Sequence, residues 1–325
     1  MHDDWGERAE RWQGIRSELI DVRGTSVHML RADGPDDGPV QLLVHGLGGN
    51  ATNWLEAIPA LARYGPVVAP DLPGFGRTEP PRRAGSRIRA NVGFLHAFAE
   101  KLGIERAIVH GNSMGGLIAV LLAAMDRDLV ERLVLVDPAL PGPRTQLYRL
   151  TPQTLMTFAP FAVPRLGRRV IGRMYATRTA EQLFDDNQHF VHADPTRIRP
   201  ELMEIGRANT AFGQTTPWRL DGFVTAAESL VSELIAPRSV WRAVEDIDMP
   251  TLMVWGDHDQ LIGRQVIDGV VKRRADWTLH VFEGVGHAPM AEVPDEFVEV
   301  VTRWYRRTED GADDPVDPVD VESSA

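Results

Sequence analysis

The chain has 325 residues, of which 43% are hydrophobic, and its formal net charge is −11 at pH 7. This length allows a large buried core with an inserted subdomain, and the absence of cysteine excludes disulfides and cysteine-based metal or redox chemistry. Because the chain shows no apolar run long enough for a membrane span, no signal peptide and no basic patch, we expect a cytoplasmic protein without a membrane span or a nucleic-acid partner.

An N-terminal arm precedes a regular alternation of short apolar runs and amphipathic segments. Residues 1–18 form this predicted arm, with Trp5 and Trp12 as its anchors. Antiparallel strands are predicted at 19–22 and 25–31, further strands at 40–44, 67–69, 107–109, 133–136, 252–255 and 279–282, and helices at 53–64, 88–102, 114–125, 261–274 and 295–307. Apolar strands between amphipathic helices indicate an α/β fold, with a mostly parallel central sheet covered by helices on both faces.

The alternation stops between Pro138 and about Met249. That stretch is typical of several helices with no strand, so we predict a helical cap inserted at 138–249 into a core formed by 1–137 and 250–307. The remaining residues, 308–325, contain seven acidic and no basic side chains. This composition predicts a disordered acidic tail.

The segment Gly111-Asn112-Ser113-Met114-Gly115 carries the strongest chemical signal of the chain. It follows an apolar strand and opens onto a helix of small residues, which is the setting of a nucleophile elbow. The two glycines lack a Cβ atom, so strand and helix can approach closely enough for the sharp turn. We therefore predict that Ser113 is a catalytic nucleophile.

A serine hydroxyl needs a neighbouring base, and histidine has a suitable pKa. His287 lies in a glycine-rich loop directly after the last predicted strand, where open α/β sheets place functional side chains. An acid is needed to orient the imidazole. The sequence favours Asp259, with Asp257 in the same loop and Asp137 after the strand at 133–136 as alternatives.

Acyl transfer also requires donors for a negatively charged oxygen. The backbone N–H of Met114, directly after the serine, can supply one. A second is predicted from Leu47 in His45-Gly46-Leu47-Gly48-Gly49, because this glycine-rich loop follows the strand at 40–44. We expect a structural role for His45, and we predict no cofactor and no metal site.

Residues 20–307 resemble the α/β-hydrolase superfamily with a helical cap. The resemblance is carried by the glycine-rich loop, the elbow, the segment Asp71-Leu72-Pro73-Gly74-Phe75-Gly76-Arg77-Thr78, and Gly286-His287-Ala288-Pro289 followed by Glu292 and Pro294. It implies that Asp71 belongs to a structural loop. It also implies that the Gly-x-x-Asp spacing ending at Asp259 marks the catalytic acid.

Within this superfamily, a serine at the elbow argues against haloalkane dehalogenase and epoxide hydrolase chemistry, which use an aspartate there. We predict a serine hydrolase of esterase or lipase type, cleaving small to medium, largely apolar carboxylic esters through an acyl-enzyme with a Ser-His-Asp triad. Asn112 resembles the elbow of hydrolases that cut a C–C bond in ring-cleavage products, so that activity is the alternative, although Leu47 and Ala288 depart from their pattern. A non-catalytic small-molecule receptor on the same fold is the alternative of another class. The sequence does not distinguish a monomer from a dimer.

Overall fold

The computed structural model describes residues 4–81, 85–142, 158–163 and 165–309. One eight-stranded sheet runs through this part of the chain, in the order β1-β2-β4-β3-β5-β6-β7-β8. Its strands are β1 (Arg16–Val22), β2 (Thr25–Ala32), β3 (Val40–Val44), β4 (Val67–Pro70), β5 (Ala107–Asn112), β6 (Val130–Val136), β7 (Thr251–Gly256) and β8 (Thr278–Phe282). The pairs β1–β2 and β2–β4 are antiparallel, and all other pairs are parallel. The mostly parallel sheet predicted from the sequence is confirmed.

Eleven α-helices lie in the described residues. They are α1 (Ile58–Leu61), α2 (Ile88–Leu102), α3 (Met114–Met125), α4 (Leu166–Thr177), α5 (Ala180–Val191), α6 (Pro200–Thr215), α7 (Arg219–Ile235), α8 (Arg238–Glu245), α9 (Arg264–Val271), α10 (Pro289–Glu292) and α11 (Pro294–Glu309). No described helix combines the length and the apolar character that a membrane crossing requires.

The sheet separates two apolar layers because successive side chains of a strand point to opposite faces. In β3, Leu42 and Val44 pack with α2, α3, α8 and α9, whereas Leu43 between them packs with α1 and α11. All three side chains are fully buried. The core therefore has helices on both faces of the sheet.

The predicted helix at 53–64 is interrupted in the structure. A short 3₁₀ turn, Ala51–Trp54, comes first and is capped by the Asn50 side chain, and α1 follows separately. Pro59 explains the interruption, because it cannot donate a helical hydrogen bond and its ring collides with the carbonyl one turn earlier. The N-terminal arm likewise consists of two 3₁₀ turns, and β1 begins at Arg16, before the predicted boundary.

The described part of the inserted segment contains α4 to α8, and residues of α4, of α7 and of the turn at Ala159–Ala162 form a small apolar cluster around Phe161, Val224 and Ala227. Helix α8 packs instead against α3, and its Val240 and Val244 belong to the main core. The chain thus returns to the core before Met249, where the sequence places the end of the cap. At the other end α11 reaches Glu309, and the rest of the predicted acidic tail lies outside the described residues.

Candidate active site

Ser113 lies on a strained turn between β5 and α3. Its φ of 54° and ψ of −118° fall in a region that L-residues rarely adopt. The N–H of Ser113 donates to the Val136 carbonyl at 2.9 Å, which fixes the turn to the neighbouring strand. A Cβ atom on Gly111 would lie 2.4 Å from the carbonyl oxygen of Gly115, so only glycine allows this approach. The serine remains half-buried at the carboxyl edge of the sheet.

His287 is held beside this turn through its backbone. Its N–H donates to the carbonyl of Val191 at 2.7 Å, and its carbonyl accepts from Asn112 Nδ2 at 3.1 Å. The same amide donates to the Val136 carbonyl. Asn112 therefore joins the nucleophile strand to the histidine loop, a structural use of the residue that precedes the serine.

Asp259 binds the imidazole of His287. The distance from His287 Nδ1 to Asp259 Oδ2 is 2.6 Å, and the carboxylate is fully buried. Its other oxygen accepts from the N–H groups of Leu261 and Ile262 at 2.6 and 3.0 Å. With Nδ1 engaged, Nε2 is the ring nitrogen left for proton transfer. Asp257, in contrast, is exposed and accepts from the N–H of Gly284.

Asp137 lies behind Asp259 as a second buried carboxyl group. Its Oδ1 accepts from the N–H of Gly256 at 2.9 Å, and its Oδ2 is buried without a hydrogen-bond partner among the described residues. Burial, together with the charge of Asp259, raises the pKa of Asp137 well above its usual range. Burial and this neighbouring charge therefore favour the protonated form of Asp137, whose hydroxyl would donate to Asp259.

Asp137, Asp259 and His287 each place one potential metal ligand within 4.8 Å of the others. The chemistry of the cluster nevertheless suits a hydrogen-bonded array better than a metal site. His287 Nδ1 and Asp259 Oδ2 already share a hydrogen bond, and the raised pKa of Asp137 disfavours the anionic form in which a carboxyl group binds a metal.

A turn from Gly46 to Gly49 borders the serine. The Gly49 N–H donates to the Gly46 carbonyl at 3.2 Å, and Gly48 has a φ of +79°, as position three of a type II turn requires. Leu47 thus occupies the second position. A Cβ atom on Gly46 would lie 3.1 Å from Ser113 Cβ, which places the turn directly beside the nucleophile. Helix α3 begins at Met114, and the first N–H groups of a helix have no partner inside it.

His45 holds this turn and is not a proton carrier. Its Nδ1 donates to the Gly46 carbonyl at 2.8 Å, while its Nε2 accepts from the N–H of Leu72 at 3.0 Å. Burial lowers the pKa of His45 to about 4, so the ring stays neutral. Asp71 braces the adjoining loop by accepting from Ala51 N, Arg77 N and His28 Nδ1.

Glu292 is a fully buried carboxylate whose role the sequence did not reveal. It accepts from the N–H groups of Gly286, Ala193 and Asp194 at 3.0, 3.1 and 3.0 Å. Burial alone would raise the pKa of Glu292, but His192 and these backbone donors hold it below its usual range. The only sequence signal was its place five residues after His287. Glu292 joins the His287 loop to the segment that follows α5.

The cap side of the site is apolar. The ring of Phe223 lies against Gly48 of the turn from Gly46 to Gly49, and Phe223 and Leu47 both pack against the apolar cluster that contains Phe161. Apolar side chains at this place suit an acyl or alkyl group better than a charged one.

Three comparisons with known proteins agree on the fold family. A lipase of Psychrobacter immobilis is 30% identical over 262 residues, which cover 80% of this chain and 74% of the lipase. A 2-hydroxy-6-oxononadienedioate/2-hydroxy-6-oxononatrienedioate hydrolase of Burkholderia vietnamiensis is 29% identical over 288 residues, covering 87% and 93% of the two chains. The crystal structure of a bacterial membrane phospholipase A superposes with a TM-score of 0.72 at 25% identity, covering 93% and 89%.

The sequence model of the alpha/beta hydrolase family matches residues 41–300, which is most of the chain. This match confirms the resemblance drawn from the sequence motifs and agrees with the eight-stranded, mostly parallel sheet. The protein is a member of the alpha/beta hydrolase family.

Proposed function

We propose that the protein hydrolyses carboxylic esters through a covalent acyl-enzyme on Ser113. The observation that carries the proposal is the 2.6 Å bond between His287 Nδ1 and Asp259 Oδ2, in a loop tied by Asn112 to the strained serine turn. A nucleophile, a base and an acid that orients the base are the groups that acyl transfer requires.

In the first half-reaction, Ser113 Oγ attacks the carbonyl carbon of the ester while His287 Nε2 takes the hydroxyl proton. The oxygen anion of the tetrahedral intermediate accepts hydrogen bonds from the N–H groups of Met114 and Leu47. Collapse of the intermediate breaks the C–O bond, and the alcohol leaves with the proton from His287. Asp259 stabilises the imidazolium that forms between these steps.

In the second half-reaction, His287 removes a proton from water, and the resulting hydroxide attacks the acyl carbon. The same two N–H groups bind the second tetrahedral intermediate. The carboxylic acid leaves, and the proton returns to Ser113. The raised pKa of Asp137 favours its neutral form, which would support Asp259 with a hydrogen bond and add no second negative charge behind the imidazole.

The test compares Ser113→Ala with Ser26→Ala, an exposed serine of β2, on p-nitrophenyl esters of graded acyl length. Ser113→Ala should lower kcat by about 10⁴–10⁶-fold, and Ser26→Ala should leave it unchanged. Turnover near the wild-type rate by Ser113→Ala contradicts the proposal. Tight ester binding without any turnover by the wild type favours a receptor instead.

Hydrolysis of a C–C bond is a second candidate, because relatives named as dienedioate hydrolases align over 87% of this chain. The same serine would attack a ketone, and a carbanion stabilised by conjugation would leave in place of an alkoxide. A dienoate diketone measured beside the esters separates the two activities. A kcat/KM for the diketone far above that for every ester would replace the ester assignment. The apolar side chains of Phe223 and Leu47 favour the ester.

A further inference from the structure

A separate cavity of about 110 Å³ lies where the N-terminal arm and the Asp71 loop meet cap helices α6 and α7. Ser113, Asp259 and His287 do not line it. The charged groups around it are Arg8, Arg77, Arg219 and Asp71. Even without Arg8, the guanidinium groups of Arg77 and Arg219 outnumber the carboxylate of Asp71 at this cavity, in a chain whose net charge is −11.

Arg219 is the innermost of these cations. It is only 9% exposed, and its Nη1 is buried without a hydrogen-bond partner in the described part of the chain. The guanidinium lies between the backbone of Gly213, on α6, and the ring of Phe75, whose centroid is 5.9 Å from Cζ. A buried cation with an unused donor is costly, because it gives up hydration without gaining an equivalent bond.

The protein groups near Arg219 do not fully compensate its charge. Asp71 attracts it, but the Asp71 oxygens already accept three hydrogen bonds. Tyr175 also interacts electrostatically with the guanidinium, but burial outweighs both groups and lowers the pKa of Arg219. Arg219 is also the first residue of α7, where the helix dipole is positive and disfavours a cation. These conditions all favour an additional negative charge at the cavity.

We propose that this cavity binds a small oxyanion, a phosphate or a carboxylate, with Arg219 as its principal ligand. The planar guanidinium offers donors in the geometry that such oxygens accept. Arg77 stands exposed at the rim, with its Cζ 5.0 Å from the Phe212 ring, and adds a second positive charge at the entrance. The site is distinct from the hydrolase centre and does not depend on the proposed activity.

The anion site lies one packing layer behind the oxyanion turn. Phe75, against which Arg219 packs, contacts the ring of His45 edge-on, with centroids 5.4 Å apart. His45 in turn holds the Gly46 carbonyl. An anion bound at Arg219 would therefore stabilise the same loops that shape the hydrolase site.

Thermal unfolding of the full chain in potassium phosphate, potassium acetate and potassium chloride at matched ionic strength tests the proposal. Phosphate or acetate should raise the Tm of the wild type by about 2 °C or more above its value in chloride, because a ligand of the native state stabilises it. Arg219→Met should remove this difference. Arg106→Met, at an exposed arginine paired with Glu131, should retain it.

The response to each salt identifies the class of oxyanion that binds. A Tm increase in phosphate alone indicates a phosphate ligand, and an increase in acetate alone indicates a carboxylate ligand. Equal Tm values of the wild type in all three salts overturn the proposal, and so does an equal rise in Arg219→Met. If Arg219→Met does not fold, Arg219→Gln replaces it, and calorimetric titration of the wild type with phosphate gives a direct reading. A titration without measurable binding of phosphate or acetate also overturns the proposal.

Discussion

The loops at the carboxyl edge of the sheet and the helices of the cap are built on different principles. The loops are held by buried polar side chains that bond to backbone groups, as His45 does to Leu72 and Glu292 to Gly286. In the inserted segment, α4 and α7 meet in a small apolar cluster, and ion pairs such as Arg168 with Asp221 are exposed. Directional bonds specify positions to within fractions of an ångström, whereas apolar contacts tolerate substitutions of similar volume. For the proposed reaction, we therefore expect the chemistry to depend on the loops and the substrate choice to depend on the helices of the inserted segment.

The largest effect is expected when each of the two buried aspartates, Asp259 and Asp137, is replaced by asparagine. Asp259→Asn should lower kcat by about 10⁴-fold, because an amide favours the wrong imidazole tautomer. Asp137→Asn should lower it by less than about 10-fold, since its amide can still donate to Asp259 and accept from Gly256. Steady-state rates on one p-nitrophenyl ester check both. A larger loss in Asp137→Asn would make Asp137 the catalytic acid.

A smaller effect, on the stability of the fold and not on the reaction rate, is expected when Glu292 is replaced. Glu292→Gln should reduce the free energy of unfolding by about 2–4 kcal/mol near neutral pH, because three backbone donors lose a charged acceptor. The pKa of Glu292 is depressed in the folded state, so its stabilisation is present above about pH 4.5 and is lost as the pH falls through the folded-state pKa. The variant should lack this part of the acid dependence.

Urea unfolding of the wild type and Glu292→Gln, near pH 7 and near pH 4, measures both quantities. Glu299→Gln, on the exposed side of α11, is the matched control and should behave as the wild type does. Equal stability of Glu292→Gln and the control near pH 7 would show that the histidine loop does not need this carboxylate.

The smallest effect concerns substrate choice in the cap. Phe223→Ala should lower kcat/KM for medium-chain esters by about 10-fold relative to the acetate ester, because the ring that packs over Gly48 no longer contacts the acyl chain. Phe184→Ala removes a cap ring that packs instead on Gly206, and its ratio between the two esters should stay unchanged. An unchanged ratio in Phe223→Ala as well would place chain-length selection elsewhere.

The local parts of the fold were predictable from sequence, and the contacts between distant segments were not. The alternation of short apolar runs with amphipathic segments and the glycines around Ser113 are local signals, so the sheet and the sharp turn could be predicted. The choice among Asp137, Asp257 and Asp259 depends on which loop turns towards the imidazole, and apart from the family resemblance, which favoured Asp259, the residues themselves left the three open. The pairing of Asp137 with Asp259 is visible only in three dimensions.

Helix α8 shows, for a whole helix, the same difference between a predictable local pattern and an unpredictable packing partner. Its apolar positions show that one face is buried, but periodicity alone does not say whether the buried face meets the cap or α3. The interruption of the helix predicted at 53–64 was in principle readable, because Pro59 stands within it. Glu292 was quoted in a motif, yet its backbone partners at Ala193 and Asp194 lie almost a hundred positions earlier in the chain.

The bond from the His287 N–H to the Val191 carbonyl makes lid position and base alignment interdependent. Any displacement that carries the end of α5 away from the core must break this bond and release the backbone of His287, the base in the proposed reaction. If the proposed reaction holds, a bulky ligand that holds α5 outward would consequently slow turnover while it remains bound. A variant shortened by removal of α5 would lose this attachment of the His287 backbone as well.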